Sequence, residues 1–126
     1  MIKYICLPSG GAQLITYLGV IRELIDTKHL DLKNIKGYYG ISSGSILSAV
    51  LCLGIDFDDV VNYFIKRTWH YVYKLDQINF ISLFNDNGIL NKEYFIKIFE
   101  HLFNSKNMDL KTLTMKEFYD KTQIKL

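Results

Sequence analysis

Ile2 to Leu7 form an apolar run, rich in β-branched and aromatic residues, which Pro8-Ser9-Gly10-Gly11 stops; this is the pattern of a buried strand running into a loop. Leu14, Leu18, Ile21 and Ile25 then recur at helical spacing, with Ile15 and Leu24 widening the stripe, and predict a helix from about Ala12 to Lys28. After the polar connector "HLDLKNIK", the stretch "GYYG" (Gly37 to Gly40) offers a second short strand. Beyond it Ile46, Leu47, Ala49, Val50, Leu51, Cys52 and Leu53 are apolar nearly all round, as in a helix buried within a core, and Gly54 suits its C-terminal cap. Two successive strand–glycine loop–helix units make a βαβ crossover, hence a parallel sheet covered by helices. Both loops then fall at carboxyl ends of neighbouring strands, where open α/β sheets carry their sites.

Further along, Asp56 can cap a helix starting at Phe57, with Asp58 and Asp59 in its first turn and Val60, Val61, Phe64 and Ile65 on its apolar side. From Trp69 to Phe84 the chain is aromatic without a clean period, and "NDNG" (Asn85 to Gly88) is a turn. Asn91 is expected to cap a helix that places Phe95, Ile98, Phe99, Leu102 and Phe103 on one face and ends near "NSKN". Thr114 and Glu117 spell a capping box for a last short helix, Met115 to about Asp120, and "TQIKL" begins like a strand.

With 126 residues the chain is expected to be one domain or part of one, and 49% hydrophobic and 22% charged residues are ordinary globular usage. The balance of +2 with only two arginines, Arg22 and Arg67, lacks the dense basic face that phosphate backbones require, so nucleic acid is not expected as a partner. Lysines spread through the second half suit a solvated surface and are compatible with an anionic lipid surface. Cys6 and Cys52 stand alone within apolar runs, as buried free thiols of a reducing compartment do. The apolar N-terminus is short and soon broken by Pro8, and no segment reaches the roughly 20 apolar residues of a spanning helix. A cytoplasmic protein, peripheral to membranes at most, is the expectation.

The chemistry lies in Gly40, Ser42 and Gly44, a G-x-S-x-G pattern between a strand and a buried helix. A nucleophilic serine needs a tight, strained turn, and glycines two before and two after let strand and helix pass without Cβ clashes. Its oxygen then projects at a helix N-terminus, where N–H groups and the helix dipole favour developing negative charge. Ser42 would equally suit a helix N-cap, and Ser43 and Ser45 are expected to satisfy N–H groups at the helix start. One crossover earlier, Gly10 and Gly11 leave backbone N–H groups unobstructed, either as oxyanion donors or as a plain strand-to-helix turn. His29, His70 and His101 have no partner spacing that would make one of them a base. No metal or cofactor is called for.

Taken together, Ser9-Gly10-Gly11, the helix "YLGVIREL" (Tyr17 to Leu24) and "GISSGSILSAVLCLG" resemble the patatin-like phospholipase family, and "LFNDNGILNKEYF" and "KTQIKL" resemble its later turn and next strand. The resemblance spans nearly the whole chain. It implies a three-layer α/β/α fold with a mainly parallel sheet, of which residues 1–126 are the N-terminal portion of a single domain, incomplete at its C-terminus. It also implies a lipid acyl hydrolase acting on phospholipid or another acyl-ester lipid through a Ser–Asp dyad, with Ser42 as nucleophile, Gly10 and Gly11 as oxyanion donors, and no cofactor. The family's aspartate sits in a D-G-G or D-G-A motif that is absent from these residues and is expected beyond Leu126; Asp86 in "DNG" matches an earlier turn instead. This chain departs from the family's glycine loop at Ser9, Gln13 and Leu14, where the family has glycine, Arg or Lys, and glycine. The altered loop keeps a second reading open, a catalytically inactive module that binds lipid or protein. A third, Ser–His acyl transfer, places its elbow further from its oxyanion loop and lacks a supporting histidine here.

Overall fold

The structure, a computed structural model, describes residues 2–69 and 92–126. Two compact units make up the chain, Met1–Lys66 with Thr114–Leu126, and Arg67–Leu113. The predicted aromatic stretch beyond Trp69, the turn at Asn85 to Gly88 and the Asn91 cap lie outside the described residues.

The first unit opens with β1 (Tyr4–Leu7) and a 3-10 turn over Gly11–Gln13, followed by α1 (Leu14–Asp26). A second 3-10 turn, Leu32–Asn34, leads to β2 (Gly37–Gly40), α2 (Ser43–Cys52) and α3 (Phe57–Lys66). β1 and β2 pair in parallel, Tyr4 opposite Gly37 and Leu7 opposite Gly40. The predicted βαβ crossover is therefore present, and both loops leave from the carboxyl ends of paired strands. Lys125 extends the pairing on the other side of β2: Tyr38 N–H donates to Lys125 O at 2.8 Å and Lys125 N–H to Lys36 O at 3.0 Å. The strand-like reading of the last residues thus has a backbone partner.

Helix boundaries follow local backbone chemistry. α1 is shorter than the predicted Ala12 to Lys28 because Gly11–Gln13 wind as a 3-10 turn ahead of it and Lys28 (φ 60°) takes a left-handed conformation, which a right-handed helix cannot continue through. Its inward stripe is Leu14, Leu18 and Ile21, whereas Ile15 is about half exposed. Gly54, also left-handed at φ 58°, follows the end of α2 and donates to Leu51 O at 3.2 Å, as expected of a C-terminal glycine. Asp56 Oδ1 accepts from Asp58 N–H at 2.9 Å at the start of α3.

The core of this unit gathers around α2, which packs on both strands and touches α1 and α3. Leu47, Val50 and Cys52 on α2 are buried with Tyr38 of β2, Leu18 of α1 and Val60 of α3. Burial pushes the Cys52 thiol up to about 12 and, together with Cys52, holds the Tyr38 phenol far above its ordinary value. β1 departs from the fully buried strand predicted. Leu7 points inward, but Tyr4 and Cys6 are exposed and share a face with Tyr39, whose ring lies 6.2 Å from that of Tyr4. The expectation of two buried thiols is therefore corrected for Cys6: strand alternation turns it away from the α2 side. Arg22 on α1 pairs with Asp58 and stacks 4.9 Å over Phe57 of α3, joining those helices at the surface.

A final helix of the first unit, α5 (Met115–Thr122), starts with the predicted capping box: Thr114 Oγ1 accepts from Glu117 N–H, and Thr114 N–H donates to Glu117 Oε2 at 2.8 Å. In the second unit, α4 (Lys92–Asn104) buries Tyr94, Ile98, Leu102 and Phe103. Phe95, predicted on that face, is instead 43% exposed; Tyr94 takes the place because it lies four residues before Ile98 and eight before Leu102.

Candidate active site

Ser42 occupies the turn between β2 and α2 with φ 55° and ψ −122°, a combination rarely adopted by a residue bearing a Cβ. It stands in the N-cap position, yet its side chain makes no capping hydrogen bond. An ordinary capping serine has extended backbone angles and bonds to the second or third helical N–H. Ser42 does neither, and its residue is exposed to solvent. The capping role that the sequence also allowed is thus not the one its hydroxyl performs.

The turn is held in place by close backbone approach. A Cβ on Gly40 would lie 2.5 Å from Ser45 N and 2.6 Å from Gly44 O, so β2 passes the first turn of α2 at a distance only glycine permits. On Gly44 it would overlap Leu7 O and lie 2.7 Å from Pro8 O, where the helix start presses on the exit of β1. Between these contacts Ile41 N–H donates to Leu7 O at 3.1 Å, and Gly44 N–H to Ile41 O at 3.0 Å. Both framing glycines are therefore required by packing, one toward each strand.

Gly10 and Gly11 lie at the adjacent strand end. Gly10 N–H donates to Ser43 Oγ at 3.0 Å, across 33 residues of sequence. Ser43 is 6% exposed and Gly10 half-buried, so this partly buried bond joins the glycine loop to the elbow. The expectation that Ser43 satisfies the helix start is corrected: its oxygen reaches across to the loop of the preceding crossover. Tyr17 closes the loop from α1, its hydroxyl donating to Ser9 O at 3.2 Å. A Cβ on Gly10 would meet the Tyr17 hydroxyl oxygen at 2.6 Å, whereas the surroundings of Gly11 are open. Gln13 holds the loop by its backbone, N–H to Gly10 O at 2.9 Å, while its side chain caps nothing at the start of α1.

The structure thus brings Ser42, Gly40, Gly44, Gly10 and Gly11 to one end of the β1–β2 pair. His29 lies elsewhere, exposed and 3.0 Å from Thr27 Oγ1, and His101 belongs to the other unit. Asp86 and His70 fall outside the described residues. A cavity of about 910 Å³ opens at the opposite end of β2, lined by Leu30, Ile35, Leu51, Phe57 and Lys36 among others, and includes none of the elbow residues. Concavity alone would point there; the strained serine and the glycine packing point to the elbow.

Among curated proteins the chain is similar to "Uncharacterized protein R571" of Acanthamoeba polyphaga mimivirus, 25% identical over 105 residues that cover 83% of this chain and 35% of that protein. It therefore spans about a third of that relative's length. No solved structure matches. Residues 5–119 match the family described as patatin-like phospholipase, a span holding both glycine loops, the elbow serine and, among the described residues, α1 to α4 with α5 as far as Tyr119. The chain belongs to the patatin-like phospholipase family.

Proposed function

We propose that this chain is the N-terminal portion of a three-layer α/β/α lipid acyl hydrolase domain in which Ser42 is the nucleophile. The single observation carrying this reading is the Ser42 backbone: φ 55° is maintained on a residue with a Cβ, at an exposed turn, with no capping bond in return. Strain of that kind marks sites where geometry serves chemistry. In the reaction Ser42 Oγ attacks the acyl carbonyl of a phospholipid or related ester while its proton passes to an aspartate, which the proposal places beyond Leu126. The tetrahedral oxyanion forms beside the Gly10-Gly11 loop and the N-terminus of α2, where backbone N–H groups favour it. Collapse breaks the ester bond, the departing alkoxide takes the proton, and water then cleaves the acyl-enzyme. Substrate would be met at a membrane surface from the water side; among the described residues no helix is long and apolar enough to cross one.

The test is labelling by a serine-reactive fluorophosphonate, and hydrolysis of a short-chain phospholipid, in the full-length gene product and its Ser42→Ala variant. Loss of both signals is expected. Equal labelling and turnover would remove Ser42 from the mechanism. The second reading, an inactive lipid- or protein-binding module, draws on Gln13, whose side chain makes no capping bond where the family places a cation. It predicts no labelling in the unaltered protein together with retained binding to vesicles or to a protein partner.

A further inference from the structure

We propose that Ser43 is a positioning residue, whose hydroxyl anchors the Gly10-Gly11 loop to the elbow and sets the register between that loop and Ser42. The inference rests on the reading of Ser42 as nucleophile. Two adjacent glycines carry the largest backbone freedom of any dipeptide, so a Gly-Gly loop presents its N–H groups in a defined direction only when something external restrains it. Three restraints are present. Gln13 N–H to Gly10 O closes the loop on itself, and Tyr17 Oη to Ser9 O ties it to α1. Neither of these bonds involves β2 or α2. Gly10 N–H to Ser43 Oγ, at 3.0 Å and partly buried, is the side-chain bond joining loop and elbow.

Register follows from covalent geometry. Ser42 and Ser43 are consecutive, as are Gly10 and Gly11, and consecutive Cα atoms stand about 3.8 Å apart. Fixing Gly10 to Ser43 therefore leaves the next loop amide, that of Gly11, one residue step away on the loop, and the nucleophile one residue step away on the elbow. It also assigns the two glycines different tasks. Gly10 N–H is committed to the anchor, and Gly11, left-handed at φ 52° with open space around its Cα, is the loop's donor to the oxyanion. A hydroxyl at position 43 suits this task because its oxygen accepts from the loop amide without introducing charge beside a developing oxyanion.

The test compares wild type, Ser43→Ala, Ser43→Thr and Ser42→Ala in the full-length protein, by hydrolysis kinetics and by the rate of fluorophosphonate labelling at saturating reagent. It is joined by amide hydrogen exchange of Gly10. Losing one oxyanion donor costs about 100- to 1,000-fold in kcat, and loosening its loop a part of that, so Ser43→Ala is expected to lower kcat and the labelling rate about 10- to 100-fold. KM should stay within about twofold, since substrate binding is not what the anchor supports. Gly10 exchange should accelerate in Ser43→Ala, and Ser43→Thr, which keeps the hydroxyl, should recover most of the rate. Wild-type kinetics in Ser43→Ala would overturn the inference, and so would faster turnover, which would mean that the bond withholds Gly10 from the reaction. Failure of Ser43→Thr to recover any rate, or wild-type Gly10 exchanging like an open-loop amide, would overturn it even where Ser43→Ala does not fold. If Ser42→Ala retains activity, the nucleophile assignment itself fails; if Ser42→Ala is silent and Ser43→Ala is normal, only the positioning role does.

Discussion

Replacing Ser42 by glycine should make the protein more stable while removing the hydroxyl proposed as its nucleophile. At φ 55° and ψ −122° the Ser42 Cβ is held against its own backbone, in a region that costs on the order of 1–3 kcal/mol for a residue with a side chain and almost nothing for glycine. Glycine in turn gains freedom in the unfolded chain, which offsets about 0.5–1 kcal/mol of that. No capping bond is lost, because the Ser42 side chain makes none. The net expectation for Ser42→Gly is a gain of about 1 kcal/mol. Ser42→Ala keeps the Cβ, and hence the strain, and should lie within about 0.5 kcal/mol of wild type.

The informative quantity is the difference between the two variants, since both lack the hydroxyl and both should be silent to fluorophosphonate. In the full-length protein about 1 kcal/mol corresponds to roughly 2–4 °C in melting temperature for a domain of about 150–250 residues. Thermal melts followed by far-UV circular dichroism resolve that gap, and urea titrations with a shared m value provide a second estimate of it. Ser42→Gly melting at or below Ser42→Ala would refute the reasoning, because the backbone at position 42 would then carry no strain that glycine relieves. Were both variants stabilised equally, the source would be the hydroxyl rather than the main chain.

Two glycines of helical segments should respond with opposite sign: Gly19→Ala, where an added Cβ meets nothing, should gain about 0.5–1 kcal/mol, while Gly44→Ala, which overlaps Leu7 O, should lose about 1–3 kcal/mol; chemical denaturation of both variants checks this. Of the two cysteines, native protein should release only the Cys6 thiol to a disulfide reagent at pH 8, because Cys52 is buried with its thiol pushed up to about 12, and both should react in denaturant. Glu117 accepts from the Thr114 backbone and side chain, which lowers its carboxyl below the ordinary value. A depressed carboxyl adds stability above its unfolded pKa and loses it as pH falls through the folded one, so the thermal advantage of wild type over Glu117→Gln should be steady near neutrality. It should shrink below about pH 4.3 and vanish at lower pH, as melts across that range would record.

Much of this architecture is legible in the order of residues because its signals are local. Leu14, Leu18 and Ile21 repeat at helical spacing, Thr114 and Glu117 sit three apart, and Gly40 and Gly44 bracket a serine at a strand-to-helix junction; each pattern needs only neighbouring residues to have meaning. What escaped depends on residues far apart or on a single rotation. Ser43 reads locally as a helix-start serine, and nothing near it in sequence indicates that its oxygen meets Gly10 across 33 residues. Phe95 and Tyr94 are both aromatic, and a helix rotates about 100° between them, so either could head the buried stripe until its packing is known. Cys6 sits in a run apolar enough for a strand buried on both faces, yet only the Leu7 side packs against α2, and Tyr4, Cys6 and Tyr39 face outward together.

The strain at Ser42 can persist only if its surroundings over-determine it, and the groups that do so all belong to the first unit. Leu7 O accepts from Ile41, Ile41 O from Gly44 and Ser42 O from Ser45, so the residues on both sides of Ser42 are tied to β1 or to the first turn of α2. α2 itself is held by fully buried Leu47 and Val50. Each hydrogen bond contributes about 1 kcal/mol and each buried aliphatic side chain about 1.5–3 kcal/mol, so this small set outweighs strain of on the order of 1–3 kcal/mol by about twofold or more. Relaxing the serine alone would mean breaking contacts worth more than the strain released. The elbow therefore behaves as a unit: it keeps its shape while β1, β2 and α2 stay packed, and a core substitution such as Leu47→Ala should release it by unpacking α2 rather than by touching Ser42.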